Sequence, residues 1–433
     1  MLLEVDILGM RKIVQIILYV LARLALRRYR PLVVGITGSV GKTSTKEAIA
    51  SVLKAQYHNR VRKNELNLNT EIGVPLTILG VSGGGKNIFA WLLSLFKGCL
   101  KIIWNSSYPE IIVLEMGADK PGDIRYLVKL AKPTVGVVTA VGEIPVHVEF
   151  FAGPKNLARE KARLVEGLLS TGFAILNFDD DTVLDMRERT SAHIITFGFD
   201  QGADVRATAM EIRNHSSSEG ELVPDGINFK LEYRGKIVPV RLVNVFGKGA
   251  AYAALAAASV GVAMKMNLLE IAEALANFEP PPGRLRLIEG EKQTRILDDT
   301  YNSSPIAAIA ALETLKALPA QRRIAVLGDM LELGKYSEGA HRSIGEKASG
   351  AADILITVGD RARFMSNEAL ARGMSEEKIF SFSTTEEAAD KLEEILQKGD
   401  LILIKGSRAM RMENIVQEIM AHSEDAVKLL VRH

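Results

Sequence analysis

The stretch LVVGITGSVGKTSTKE, residues 32–47, constrains the fold more than any other. In it an apolar run stops at a glycine-rich turn, which leads straight into a lysine, hydroxyl residues and an amphipathic segment. That order predicts a buried strand over Leu32–Ile36, a tight loop, and a helix opening near Lys42. Such a loop aims backbone N–H groups and a helix N-terminus at one point, and that point suits an anion. Lys42 adds a mobile positive charge, and the Thr43 hydroxyl is placed to ligate Mg²⁺ beside phosphates, which is the physical content of a P-loop. Gly38, Ser39, Gly41 and Ser44 belong to the same expected nucleotide triphosphate site, although Ile36 stands where the usual spacing has glycine. A glycine-rich turn with no ligand is the alternative.

At 433 residues the chain is too long for one ordinary core, and its length suggests about three domains. A formal charge of +2 makes no demand for a nucleic-acid partner, and the single cysteine, Cys99, excludes an internal disulfide framework and fits a reducing cytosol. The first thirty residues stand apart. An apolar run, Ile13 to Leu26, carries Arg23 within it and leads into Arg27, Arg28 and Arg30. It is short for a bilayer span and lacks a small-residue cleavage site, so a basic amphipathic helix is expected, lying on the inner face of a membrane or packing on protein. The segment Ile88–Trp104, interrupted by Lys97 and Lys101, reads as a buried or partner-facing helix.

Strands alternating with helices imply an α/β fold, with a P-loop domain built on a mostly parallel sheet and a Rossmann-like C-terminal α/β domain. Short alternating runs between Asp204 and Phe246 predict β-hairpins inside the first of these. FEPPPGRLRLIE supplies a hinge, and the expected division is a helix at 1–30, a central domain at 31–282 and a C-terminal domain at 283–433. Apolar strands that end in polar residues are where open α/β sheets place their ligands. Glu115 ends IIVLE, so its carboxylate is expected at the P-loop edge as a Mg²⁺ ligand. By pattern alone His147 is an ordinary loop histidine and Lys161 a solvated helix lysine. Asp298, Asp299, Tyr301 and Asn302 end one strand of the second series, and Lys405 and Arg408 follow another. Helix caps and surface charges are the plain alternative; together, these residues read as a polar wall facing the nucleotide across the hinge.

GITGSVGKTSTKE, NLNTEIGVPLT, LEMGADKPGDI, PPGRLRL, LDDTYNSSP, VLGDMLELG and IKGSRAMRME resemble, in order, the motifs of the Mur ligase family, nearest to its MurF type. The resemblance implies a ligase of peptidoglycan precursor synthesis that spends ATP to join D-alanyl-D-alanine to a muramyl tripeptide through an acyl phosphate. It implies Mg²⁺, held at one position by Thr43 and Glu115 and at a second by His147 and a carbamoylated Lys161. Lys42, Glu115, His147 and Lys161 then carry the catalysis. Arg284, Asp299, Tyr301 and Asn302 join the P-loop on the ATP. Asn67, Asn69 and Thr70 meet the muramyl peptide, and Lys405, Ser407 and Arg408 meet the incoming substrate or serve closure.

Two departures stand out. Family members open with a domain that grips UDP, whereas only residues 1–30 precede the P-loop strand here, so a ligase without that domain is expected. Gly249, Ala250 and Ala253 occupy positions where the family has polar residues near the adenine. A related ligase acting on a different, lipid-linked carboxylate and a non-catalytic nucleotide-binding subunit remain as alternatives.

Overall fold

The computed structural model describes residues 2–65, 68–85, 87–104, 107–216 and 222–431. A helix, α1 (Leu2–Tyr29), precedes a nine-stranded sheet. The strands are β1 (Leu32–Thr37), β2 (Val61–Lys63), β3 (Ile111–Glu115), β4 (Val135–Val138), β5 (Phe173–Asn177), β6 (His193–Gly198), β7 (Val205–Ser216), β8 (Leu222–Tyr233) and β9 (Lys236–Val243), in the order β2-β3-β1-β4-β5-β6-β7-β8-β9. All pairings from β2 through β7 are parallel, and β7, β8 and β9 form the antiparallel hairpins expected from their alternating pattern. The central parallel strands β3, β1, β4 and β5 are nearly continuous apolar runs because helices cover both of their faces.

β1 lies between β3 and β4, with Ile36 opposite Glu115 on one side and Thr37 opposite Val138 on the other. The helix after it, α2 (Lys42–Tyr57), opens at the predicted lysine. The chain therefore leaves β1 in one direction and returns on its other side, and this is the crevice where open sheets bind ligands.

Two glycines bring another helix unusually near. A Cβ on Gly35 would stand 3.0 Å from Leu164, and one on Gly136 would stand 3.3 Å from the same side chain. These absences let α6 (Pro154–Glu166), which carries Lys161, lie close under the P-loop strand.

A second sheet of six strands follows: β10 (Arg286–Gly290), β11 (Thr294–Asp299), β12 (Arg322–Gly328), β13 (Ile354–Val358), β14 (Ile379–Phe382) and β15 (Asp400–Lys405), in the order β10-β11-β15-β12-β13-β14. Only the β10–β11 pairing is antiparallel. Each face of this sheet has its own apolar core.

α1 packs on the first unit, against α3 (Gly73–Leu79), α4 (Ile88–Trp104) and α5 (Asp123–Ala131), through the buried residues Leu18, Ala22 and Ala25. α4 departs from one half of its expectation. Only Ser94 and Gly98 of its side chains are buried, so it is not a core helix and the buried reading is withdrawn.

Candidate active site

The loop after β1 is built from backbone constraints. Gly41 (φ 84°) and Gly38 (φ 148°) adopt conformations that a β-carbon opposes, and a Cβ on Gly38 would also collide with Thr139. The end of β4 holds the loop from the side: Ser39 N donates to Ala140 O (2.6 Å) and Thr139 Oγ1 donates to Val40 O (2.6 Å). The Gly38 carbonyl then accepts from two lysines at once, Lys42 Nζ and Lys161 Nζ, each at 2.9 Å.

Lys161 is thus no solvated surface residue. It is 2 % exposed, and burial, aided by the charge of Lys42, pulls its pKa well below the ordinary lysine value. Burial also lowers the Lys42 pKa, against the attraction of Glu115.

Glu115 emerges from β3 as its pattern predicts. Its Oε1 accepts from Asn69 Nδ2 (3.1 Å), and Lys46, fully buried one turn beyond Lys42, lies 4.0 Å from its Oε2. Asn64 clamps the neighbouring segment: its Nδ2 donates to Leu68 O and Glu115 O, while its Oδ1 accepts from Glu115 N. His147, at φ 70°, sets Nδ1 2.6 Å from Glu332 Oε2, a residue of the second unit, and Nε2 3.9 Å from Asp119 Oδ1.

On the other wall, β11 and β15 bring Asp299 opposite Lys405, and their side chains pair at 2.6 Å inside the sheet. Lys405 Nζ also donates to Asn302 O (2.8 Å), fixing the loop that presents Tyr301 and Asn302. Arg284 lies with Cζ 4.1 Å from the centre of the Tyr301 ring, a cation–π contact, and its buried Nε has no hydrogen-bond partner among the described residues. Ser407 Oγ accepts from Leu331 N (2.8 Å), which ties the VLGDMLELG loop to this wall.

Asp298 beside them is fully buried, and desolvation raises its pKa to about 6 although Thr300 and Gly283 donate hydrogen bonds to it. A carboxyl whose native pKa is raised stabilises the fold fully below its unfolded value and loses that contribution as pH climbs through the native value. The stability difference between wild type and Asp298→Asn is therefore expected to move against the wild type by up to about 3 kcal/mol between pH 4 and pH 7. Urea midpoints at the two pH values measure it; a difference independent of pH would contradict the buried, protonatable carboxyl.

Both walls face one cleft of ≈ 520 Å³, within the range of small-molecule sites. From the first unit it is lined by Ser39, Gly41, Lys42, Thr43, Asn69, Thr70, Glu115 and His147. From the second come Arg284, Tyr301, Asn302, Ser407 and Arg408. Gly38, Ser44, Lys161, Asp299 and Lys405 are not in its lining, and Asn67 lies outside the described residues. Asp299 and Lys405 pair with each other at the strand ends behind the wall. Gly249, Ala250 and Ala253 do not line the cleft either. Sequence reasoning missed Asp119, Glu332, Asn64 and Lys46. Asp119, Glu332 and Lys46 sit inside quoted motifs and Asn64 three residues before one, but only the fold brings them together.

Comparison with known proteins agrees with this geometry. Residues 36–94 and 101–261 match the Mur ligase middle domain, and residues 283–408 match the glutamate ligase domain of Mur ligases. The chain belongs to the Mur ligase family. Among Mur ligases it is 31% identical over 393 residues to the UDP-N-acetylmuramoyl-tripeptide–D-alanyl-D-alanine ligase of Escherichia coli, covering 89% of this chain and 76% of that one. Among solved Mur ligase structures, MurF from Acinetobacter baumannii aligns with a TM-score of 0.76 at 27% identity, over 93% of this chain and 79% of that one. MurF from Thermotoga maritima in complex with ADP aligns with a TM-score of 0.73 at 28% identity, over 95% and 84%.

Proposed function

We propose that this Mur ligase joins D-alanyl-D-alanine to a UDP-N-acetylmuramoyl tripeptide, using ATP, in the synthesis of peptidoglycan precursors. The observation that carries the reading is the single cleft, with a P-loop on one wall and Arg284, Tyr301, Asn302 and Arg408 on the other. The tripeptide carboxylate attacks the γ-phosphorus of ATP and ADP leaves. The dipeptide amine then attacks the resulting acyl carbon, loses a proton, and phosphate leaves as the amide forms.

Both steps gather negative charge on phosphoryl or acyl oxygens. Lys42 and the loop N–H groups meet that charge from below, while Arg284 and Arg408 bring positive charge from the facing wall. Asn69 and Thr70 line the cleft and would meet the muramyl peptide, and Ser407 steadies the loop opposite. Asp299 and Lys405 support the loop that carries Asn302.

Among the described residues no three His, Cys, Asp or Glu side chains form a metal cluster. Mg²⁺ does not require one, because it commonly takes one or two protein oxygens together with phosphates and water. Thr43 and Glu115 offer such oxygens and would hold one ion; when bound, it supplies neutralisation of phosphate charge. His147 and Lys161 would hold a second only with Lys161 carbamoylated. The burial of Lys161 supports that state: a neutral amine can add its lone pair to the carbon of CO₂ and release a proton, leaving a carboxylate in place of an ammonium. A cytoplasmic location, where ATP is available, follows from this reading. The protein contact of residues 1–30 is with the body of the enzyme itself, through Leu18, Ala22 and Ala25.

ADP release measured with UDP-linked, lipid-linked and free tripeptides, each with D-alanyl-D-alanine, tests the proposal. ADP and a pentapeptide product from the UDP-linked substrate are expected. Turnover of only the lipid-linked peptide would replace the acceptor, and ATP binding without product on any peptide would leave a regulatory subunit.

A further inference from the structure

α4 shows more large apolar surface to the outside than to the protein. Ser94 and Gly98 are its buried residues, with Trp91, Leu95 and Ile102 partly buried against the core beside them, and a Cβ on Gly98 would meet Leu79 and Leu21 at 3.5–4.0 Å. Most of its large ones face away: Phe89 is 77 % exposed, Phe96 60 % and Trp104 75 %, with Leu92 and Leu93 exposed between them. α1, beside it, has two apolar stripes. Leu18, Ala22 and Ala25 point inward, and Ile13, Ile17, Val20 and Leu24 recur at helical spacing on the opposite side, exposed. Of the 21 large hydrophobic side chains exposed among the described residues, twelve lie on these two helices. A patch of this kind marks a binding surface.

Its charge indicates what it binds. Residues 7–30 and 88–104 contain no aspartate or glutamate, whereas Arg23, Arg27, Arg28, Arg30, Lys97 and Lys101 are all cationic. The C-terminal ends of the helices meet, since Arg28 Nη2 donates to Ile103 O (3.2 Å) and the Tyr29 hydroxyl contacts Lys101 O and Ile102 O. Arginines and Trp104 therefore gather at one end of the apolar stripes. A second copy of the chain would bring like charges together on such a face. No helix among the described residues is long and apolar enough to cross a membrane. We infer that the outward faces of α1 and α4 together lie on an anionic lipid bilayer, with apolar side chains among the acyl chains and the cations at the phosphate level. This surface is separate from the cleft, and the inference does not depend on which acceptor the enzyme uses.

Full-length protein is mixed with phosphatidylcholine vesicles, with and without phosphatidylglycerol, and sedimented. Wild type is expected to sediment with the phosphatidylglycerol vesicles and to be released as salt rises. Phe89→Glu with Phe96→Glu should weaken partitioning about tenfold or more, and Arg27→Gln or Lys97→Gln about fivefold each. Both phenylalanines are exposed, so melting temperature and ADP formation in solution should match wild type and show that the variant is folded. Three results would each overturn the inference: no sedimentation of wild type with anionic vesicles, undiminished binding by the phenylalanine variant, or a wild-type dimer in analytical ultracentrifugation that this variant converts to monomer.

Discussion

Lys42→Ala is expected to lower ADP formation about a thousandfold, the scale seen when a preorganised group that meets developing charge is removed. The fold should survive. Among the described residues the Lys42 ammonium bonds only to the carbonyls of Gly38 and Ser39, while the loop keeps its shape through bonds from Ser39 N, Val40 N and Thr139 that do not involve the lysine. A melting temperature near that of wild type, together with lost ADP release, is the expected pair of results. Activity within a few fold of wild type would remove the P-loop from the mechanism.

Lys161 gives the second large effect, again about a thousandfold for Lys161→Ala. Here the alternatives separate by chemistry. If Lys161 served as a cation, Lys161→Arg would retain activity; if it serves as a carbamate, arginine fails like alanine, and a short carboxylate added to the alanine variant restores part of the rate. The surroundings favour the carbamate, because a buried ammonium 2.9 Å from the same carbonyl that holds Lys42 is opposed both by desolvation and by its neighbour's charge. Full activity in the arginine variant would end the case for a second metal position.

Local signals made half of this site readable. The P-loop, the strand-terminal Glu115 and the polar ends of β11 and β15 announce themselves within a few residues, since a buried strand and its exit need only local pattern. Lys161 does not, because NLAREKARL has the texture of a solvated helix and its burial depends on Gly35 and Gly136, which admit α6 closely to the sheet. The pairing of Asp299 with Lys405 is likewise a product of strand order: β15 inserts between β11 and β12, and nothing near either residue foretells the partner. In α4 the period was visible, but period alone does not say which face looks inward. The contact face centres on Ser94 and Gly98 with Trp91, Leu95 and Ile102 only partly buried beside them, and more large apolar residues lie on the outer face than the usual pattern allows.

The place of β1 between β3 and β4 also bears on how the chain is made. Synthesis delivers β1 well before both of its neighbours, and at about 5–20 residues per second the last of β4 follows it by roughly 5–20 s. Until β3 is made the nascent protein carries a six-residue strand, five of whose residues are buried in the final fold, with both edges unpaired, and one edge stays open until β4 follows, a form prone to pair with another chain. The facing wall arrives much later, with β15, so nucleotide cannot stabilise the loop by bridging both walls until nearly the whole sequence has left the ribosome. Slow production of this ligase, or its overexpression without chaperones, should therefore be limited by aggregation of N-terminal fragments before any failure of the cleft itself.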